Sequence, residues 1–253
     1  MECSSCGYSN KDEALCCNLC GNVLKPATGP TAAPTPVEGL IEELTAACEA
    51  RLNEGVALYR QNRHEEALRI FDQAIAAIPR GQEDNPEVTS LWVYKGLCLQ
   101  GLRRFGEALS AFDRSTVLSP ASGPYLANKA SALDDLGRLE ESLACYDKAT
   151  ELDPGRADTW VDRGYVLRKM KRTTDAIASY DKAISIDPRH VTAWNNKGNA
   201  LCDLQRRDEA RECFRRVLQL DPSHANAART LQTLSGPEAP AAPEDSRERL
   251  LWA

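Results

Sequence analysis

Two cysteine pairs, Cys3-x2-Cys6 and Cys17-x2-Cys20, are the residues best placed to do chemistry in this sequence. Ten residues separate the pairs, and a glycine, Gly7 or Gly21, follows each. The x2 spacing lets two thiolates point at one ion, and the glycine permits the tight turn whose backbone amides face the sulfurs. Four thiolates in a tetrahedron suit one structural Zn2+. Residues 1–24 are too few to bury a core, so the metal must supply much of the folding free energy. Cys17 completes the spacing to Cys20. Its neighbour Cys16 is left to pack inward or to stand as a spare ligand. A four-thiolate iron site uses similar knuckles, and no residue here favours iron.

Asn10 and Ala14 fall where short N-terminal zinc ribbons of prokaryotic proteins have them, and the segment resembles that family. Cys16 stands where the ribbon pattern has an aromatic. Lys11 and Lys25 are outnumbered by Glu2, Asp12, Glu13 and the negative charge of a zinc tetrathiolate. That is the wrong sign for phosphate contact. The segment therefore reads as a docking module or spacer rather than a nucleic-acid binder. The competing function is a metal-dependent sensor or nucleic-acid-associated adaptor that acts through the ribbon. Residues 25–37, rich in Pro, Ala, Thr and Gly, predict an extended semi-rigid linker.

The remainder is organised by a period. Gly96, Ala130, Gly164 and Gly198 are spaced by 34 residues, as are Pro120, Pro154, Pro188 and Pro222. Each period reads as two amphipathic helices: Trp92, Leu99, Ala108 and Phe112 in one copy, Leu126, Leu133, Ser142 and Tyr146 in the next. Trp160, Leu167, Ala176 and Tyr180 follow, then Trp194, Leu201, Ala210 and Phe214. A first copy holds Gly55, Leu58, Ala67, Phe71 and Pro79. A fixed period of this size marks a solenoid. The small residue at the eighth place lets two helices approach closely. The aromatic at the twenty-fourth fills the layer between them, and proline stops the second helix. One hairpin leaves a face bare, and stacking buries it.

These residues closely resemble the tetratricopeptide repeat family. The resemblance implies an all-α, right-handed α-solenoid of five helical hairpins over residues 38–234. His224–Leu234 supplies a capping helix, and the tail 235–253 is expected to be disordered. Its Leu250, Leu251 and Trp252 could dock on a groove. Two departures stand out. Pro79 to Pro120 is seven residues longer than the period, the surplus lying in the polar run Arg80–Pro86. In the first copy Arg51 occupies the usual Trp place.

The family's groove-facing places include the sixth of each repeat, held here by Asn53, Tyr94, Asn128, Asp162 and Asn196. Asparagine donates to and accepts from a peptide backbone at once, so a row of them can hold an extended protein or peptide partner. Tyr165, Arg168, Asn195 and Asn199 stand nearby. The family's carboxylate clamp for chaperone tails is absent. Its starting places hold Leu52 and Val56, or Val93 and Leu97, and its middle Asn place is Asp162.

Catalysis is not expected. His64, His190 and His224 lack nucleophilic partners, and there is no phosphate-cradling glycine loop and no H-E-x-x-H. Asp134–Asp135 and Asp158/Asp162 read as surface charge. Cys98, Cys145, Cys202 and Cys213 read as small apolar fillers. Net charge −6 argues against a general nucleic-acid or membrane binder. No apolar run approaches bilayer length, and the start carries no secretory pattern. Clustered and single cysteines then suit a reducing, cytoplasmic setting.

Overall fold

The computed structural model describes residues 36–79 and 86–234, with side chains from residue 47. The expected ribbon, most of the linker, the surplus loop up to residue 85 and the tail lie outside the described residues. The chain divides into two compact units, 1–47 and 48–253. The first is described only by the opening of helix α1 (Pro36–Arg60). Pro36 and Val37, read above as linker, belong to that helix. Proline fits a first helical turn, where its missing N–H leaves no bond unmade.

The second unit is helical throughout its described residues. After α1 come α2 (His64–Ala76), α3 (Pro86–Gly101), α4 (Phe105–Leu118), α5 (Gly123–Asp135) and α6 (Leu139–Leu152). Then follow α7 (Ala157–Lys169), α8 (Thr173–Ile186), α9 (Val191–Asp203), α10 (Arg207–Leu220) and α11 (Ala225–Leu234). Consecutive pairs from α1/α2 to α9/α10 are the five hairpins, and α11 packs on α10.

Each hairpin closes where the eighth-place residue meets the twenty-fourth-place ring. A Cβ on Gly96 would lie 2.5 Å from the Phe112 ring, one on Gly164 2.5 Å from Tyr180, and one on Gly198 2.9 Å from Phe214. The glycines are thus wedged between helices. The third repeat buries Ala130 and Tyr146 in one cluster and ties the helices with a 2.8 Å bond from Ser142 Oγ to the Ala130 carbonyl. The turn between helices puts one left-handed residue at the same register: Asn62, Arg103, Gly137, Lys171 and Gln205. Gly137 and Asn62 adopt this conformation readily, so three turns hold a strained side chain. Second helices end at Ser119, Asp153, Asp187 and Asp221, all in non-helical conformation. Each precedes a proline, whose ring disfavours the helical region for its neighbour.

One ion pair repeats between hairpins. A cation on the first helix bonds an aspartate on the preceding second helix: Lys95–Asp72 at 2.6 Å, Lys129–Asp113 at 2.7 Å, Arg163–Asp147 at 2.7 Å and Lys197–Asp181 at 2.5 Å. The last three pairs span 16 residues, whereas Lys95–Asp72 spans the extra seven as well. The surplus therefore leaves the stacking register intact. Trp160 and Trp194 donate their indole N–H to the carbonyls of Pro154 and Pro188, both at 3.0 Å. Trp92 makes no such bond among the described residues, because the surplus separates it from Pro79.

The buried side chains fall into two clusters. One is centred on Phe71, Leu91, Leu99 and Phe112 and draws Ala132 and Leu133 from α5. The other runs from Ala130 and Tyr146 through Tyr180 and Phe214 to Ala227 of α11. Arg51 lies exposed, reaching Gln73 at 3.3 Å, and fills no indole-sized layer.

Candidate interaction groove

First helices of successive repeats touch one another, α3 with α5, α5 with α7 and α7 with α9. No two second helices pack comparably among the described residues. The line of first helices is therefore the tighter, inner side of the stack. Its chemistry changes along its length.

Over α1 and α3 the inner side is aromatic and apolar. Tyr94 stacks on Phe71 at 6.0 Å and meets Tyr59 edge-on at 5.9 Å, while Tyr59 lies 5.4 Å from His64. Leu52, Val56 and Leu97 pack partly buried beside them. Burial pushes the Tyr59 hydroxyl up, with Cys98 and Tyr94 adding to the effect.

From α5 onward the inner side is charged, and the charges pair across helices. Gln100 donates to Asp135 at 2.7 Å, Lys169 to Asp134 at 2.5 Å, and Arg168 to Asp203 at 2.6 Å. All three pairs are 35 residues apart, linking the twelfth place of one repeat to the thirteenth of the next. Tyr165, Arg168, Lys169, Lys171 and Asp203 line a hollow of about 260 Å³ there. The Tyr165 ring, 47% exposed, lies 5.6 Å from the Lys169 ammonium.

The structure places the expected groove residues as follows. Asn53 is exposed on α1, and Tyr94 is committed to the aromatic cluster. Arg168 is committed to Asp203. Asn128, Asp162 and Asn196 occupy equivalent places on α5, α7 and α9. Among the described residues Asn128 makes no side-chain hydrogen bond, and Asn196 only receives Asn195 at 3.5 Å. Asn199 likewise has its amide unengaged there. Asp162 has no hydrogen bond or ion pair among the described residues. Its side chain stays exposed, but the surrounding helices thin the water about its carboxyl, and Asp158 one turn away repels it. Together they push it up to about 6.

The paired acids thus have distinct fates that their spacing alone does not separate. Asp134 and Asp135 are stitched to neighbours, Asp158 bonds His190 Nε2 at 3.0 Å, and Asp162 is left over. His190 also caps α9 through its Nδ1, which accepts from the Ala193 amide. His224 caps α11 in the same way. Burial raises every internal thiol and so disfavours its thiolate. Burial pushes the Cys98 thiol up to about 12 and Cys213 to about 11. No cluster of three or more His, Cys, Asp or Glu among the described residues suits a metal ion, and none of their helices is long and apolar enough to cross a membrane.

Family profiles described as tetratricopeptide repeat match residues 52–123 and 128–191, and a single-repeat form matches 191–224. The chain belongs to the tetratricopeptide repeat family. Among solved structures it is similar to MamA from Desulfovibrio magneticus, at 20% identity and TM-score 0.60, over 70% of this chain and 96% of that one. TTC0263 from Thermus thermophilus matches at 19% identity and TM-score 0.59, over 74% and 98%. YrrB, described as a TPR protein with an unusual peptide-binding site, matches at 19% identity and TM-score 0.58, over 79% and 100%. These likenesses concern the repeat fold. A search of curated proteins returned no match.

Proposed function

We propose that the tetratricopeptide repeat array is a non-catalytic scaffold that holds an extended segment of a partner protein along the inner sides of α3, α5, α7 and α9. One observation carries this reading. Asn128, Asp162 and Asn196 line up on adjacent first helices with polar groups that the described fold leaves unengaged, save the Asn196 Oδ1 that accepts from Asn195 at 3.5 Å. Their neighbours at the twelfth and thirteenth places are taken up in stitching the repeats together. Open amides at this spacing can both donate to and accept from a passing backbone. The peptide-binding site named for YrrB is consistent with this use of the fold.

The test is selection of displayed random peptides about twelve residues long on the full chain, a length that spans the four helices at ~10 Å each. Enriched peptides should lose binding to an Asn128→Ala/Asn196→Ala variant of unchanged melting temperature. Enrichment that survives the double substitution places binding elsewhere and rejects the groove.

We further propose that Cys3, Cys6, Cys17 and Cys20 hold one structural zinc ion, on the strength of their spacing. Purified protein should release about one zinc per chain to a chelator after thiol modification, and Cys17→Ser/Cys20→Ser should release none. Iron in place of zinc would show as visible thiolate-to-metal absorption. The ribbon is a tethered module in this reading, so the cysteine variant keeps peptide binding.

A further inference from the structure

We propose that the centre of the groove selects a partner segment bearing a lysine or arginine side chain, which Asp162 receives together with Asp158. Asn128 and Asn196 hold the backbone on either side. This inference rests on the groove reading and adds the chemistry of the occupant.

The acids of the inner face are not equivalent. Asp134 and Asp203 have their charge answered by Lys169 and Arg168, and Asp135 accepts a hydrogen bond from the neutral Gln100 amide. Asp158 bonds His190, whose Nδ1 accepts from Ala193, so the ring meets Asp158 through its Nε2–H. Asp162 alone of these acids is answered by no hydrogen bond or ion pair among the described residues. A carboxylate beside a second carboxylate, partly stripped of water, is a poor resting arrangement and a good receptor for a cation.

A second observation points the same way. The Tyr180 side chain is fully buried, and its hydroxyl has no hydrogen-bond partner among the described residues. The ring lies against Gly164, and the hydroxyl reaches up beneath the inner face. There Arg168, Tyr165, Asp203 and Asp162 act on it. The equivalent Tyr146 hydroxyl lies against Ser131. In the fourth repeat the place of Ser131 is taken by Tyr165, which opens outward and leaves the floor polar and unanswered. Unpaired buried hydroxyls are uncommon in folded proteins and cost stability. Here one lies within the fields of Arg168, Tyr165 and Asp203 and, more weakly, of Asp162.

The groups facing Asp162 set its response to acid. They are Asp158 and the preceding Arg156 on or beside α7. Asp134 faces it from α5, Tyr146 from α6, Tyr180 from α8 and His190 from α9. The carboxyl is pushed up to about 6, and protonation removes the receptor charge.

The experiment takes peptides enriched on the full chain and measures each by fluorescence anisotropy against a twin with its central Lys or Arg replaced by Gln. We expect an excess of central basic residues and a loss of about ten-fold or more in affinity for the Gln twin. Asp162→Asn should erase that difference while holding the Gln twin within about two-fold. The Lys preference should also shrink from about pH 7.5 to about pH 5. Asp162→Asn should raise rather than lower the melting temperature, an outcome a merely structural Asp162 would not give. Peptides that need Asn128 and Asn196 but show no basic preference, or keep it in Asp162→Asn, overturn the inference and leave the groove reading standing. Failure to enrich any groove-dependent peptide overturns both.

Discussion

Repeats 1 and 2 share a skeleton with repeats 3 to 5 but use their inner faces differently. In the first pair, inner places hold Leu52, Val56, Tyr59, Tyr94 and Leu97, which pack against the core beneath them. In the later three, the same places hold Asp134, Arg168, Asp162 and the asparagines, which stay at the surface. The outer clasps differ too. All three rings carry a cation from the same helix, but Trp160 and Trp194 are also bonded to the preceding proline carbonyls, whereas Trp92 has a second cation, Arg114, at 5.7 Å. The hairpin is fixed by a handful of small and aromatic residues. The remaining places are free to serve cohesion in one region and recognition in another.

The sharpest way to break this comparison is to damage one core and watch the other. Phe112→Ala and Tyr180→Ala should each cost about 3–5 kcal/mol in urea unfolding. In a nearest-neighbour array, hydrogen exchange should show Phe112→Ala exposing amides of α2 to α4 while α7 to α10 remain protected. Uniform loss of protection would mean one cooperative core. Next in size is Gly96→Ala, whose Cβ meets the fully buried Phe112 ring. It should cost about 1–3 kcal/mol. Ala130→Gly should lose about 1 kcal/mol, through helix propensity rather than crowding.

The clasps give a smaller, more selective test. Trp160→Phe and Trp194→Phe should each cost about 0.5–1.5 kcal/mol more than Trp92→Phe, since only the first two lose a hydrogen bond. Equal losses would show that the surplus before α3 changed nothing. Smallest is the acid response. The Asp162 carboxyl titrates higher folded than unfolded, so its ionisation opposes folding as pH rises from about 4 to 6. Asp162→Asn should therefore be slightly the more stable at about pH 7.5, with the difference gone by about pH 4. Solvent access to this carboxyl screens the effect, so thermal melts at both pH values should read it as a small shift.

Much of the fold is legible in the residues. The period, Gly at the eighth place, the aromatic at the twenty-fourth and the terminal proline are local, repeated signals. They locate every hairpin in the described residues and the helix capping the last. The inner-face row is legible as a list of side chains but not as a set of states. Arg168 and Asn196 look equally available in the sequence, and only the packing of α7 on α9 shows that Arg168 is bonded to Asp203. A signal does exist in the recurring spacings, 16 residues for the last three aspartate–cation pairs and 35 for the inner-face pairs. Asp162 emerges by subtraction, once each neighbour's bond is known. The start of α1 hides in the Pro-rich run, because Pro36 looks like a helix breaker yet proline opens helices at their first turn.

The row of charges from Asp134 to Asp203 bears on kinetics. Acid, base and acid alternate along it, so their fields cancel within roughly the ~8 Å over which physiological salt screens charge. An arriving chain gains little guidance from the row at a distance and meets it at the ordinary rate of unsteered encounter. Discrimination among visitors then falls to residence time, which varies with how well each one satisfies the few groups left unsatisfied at contact.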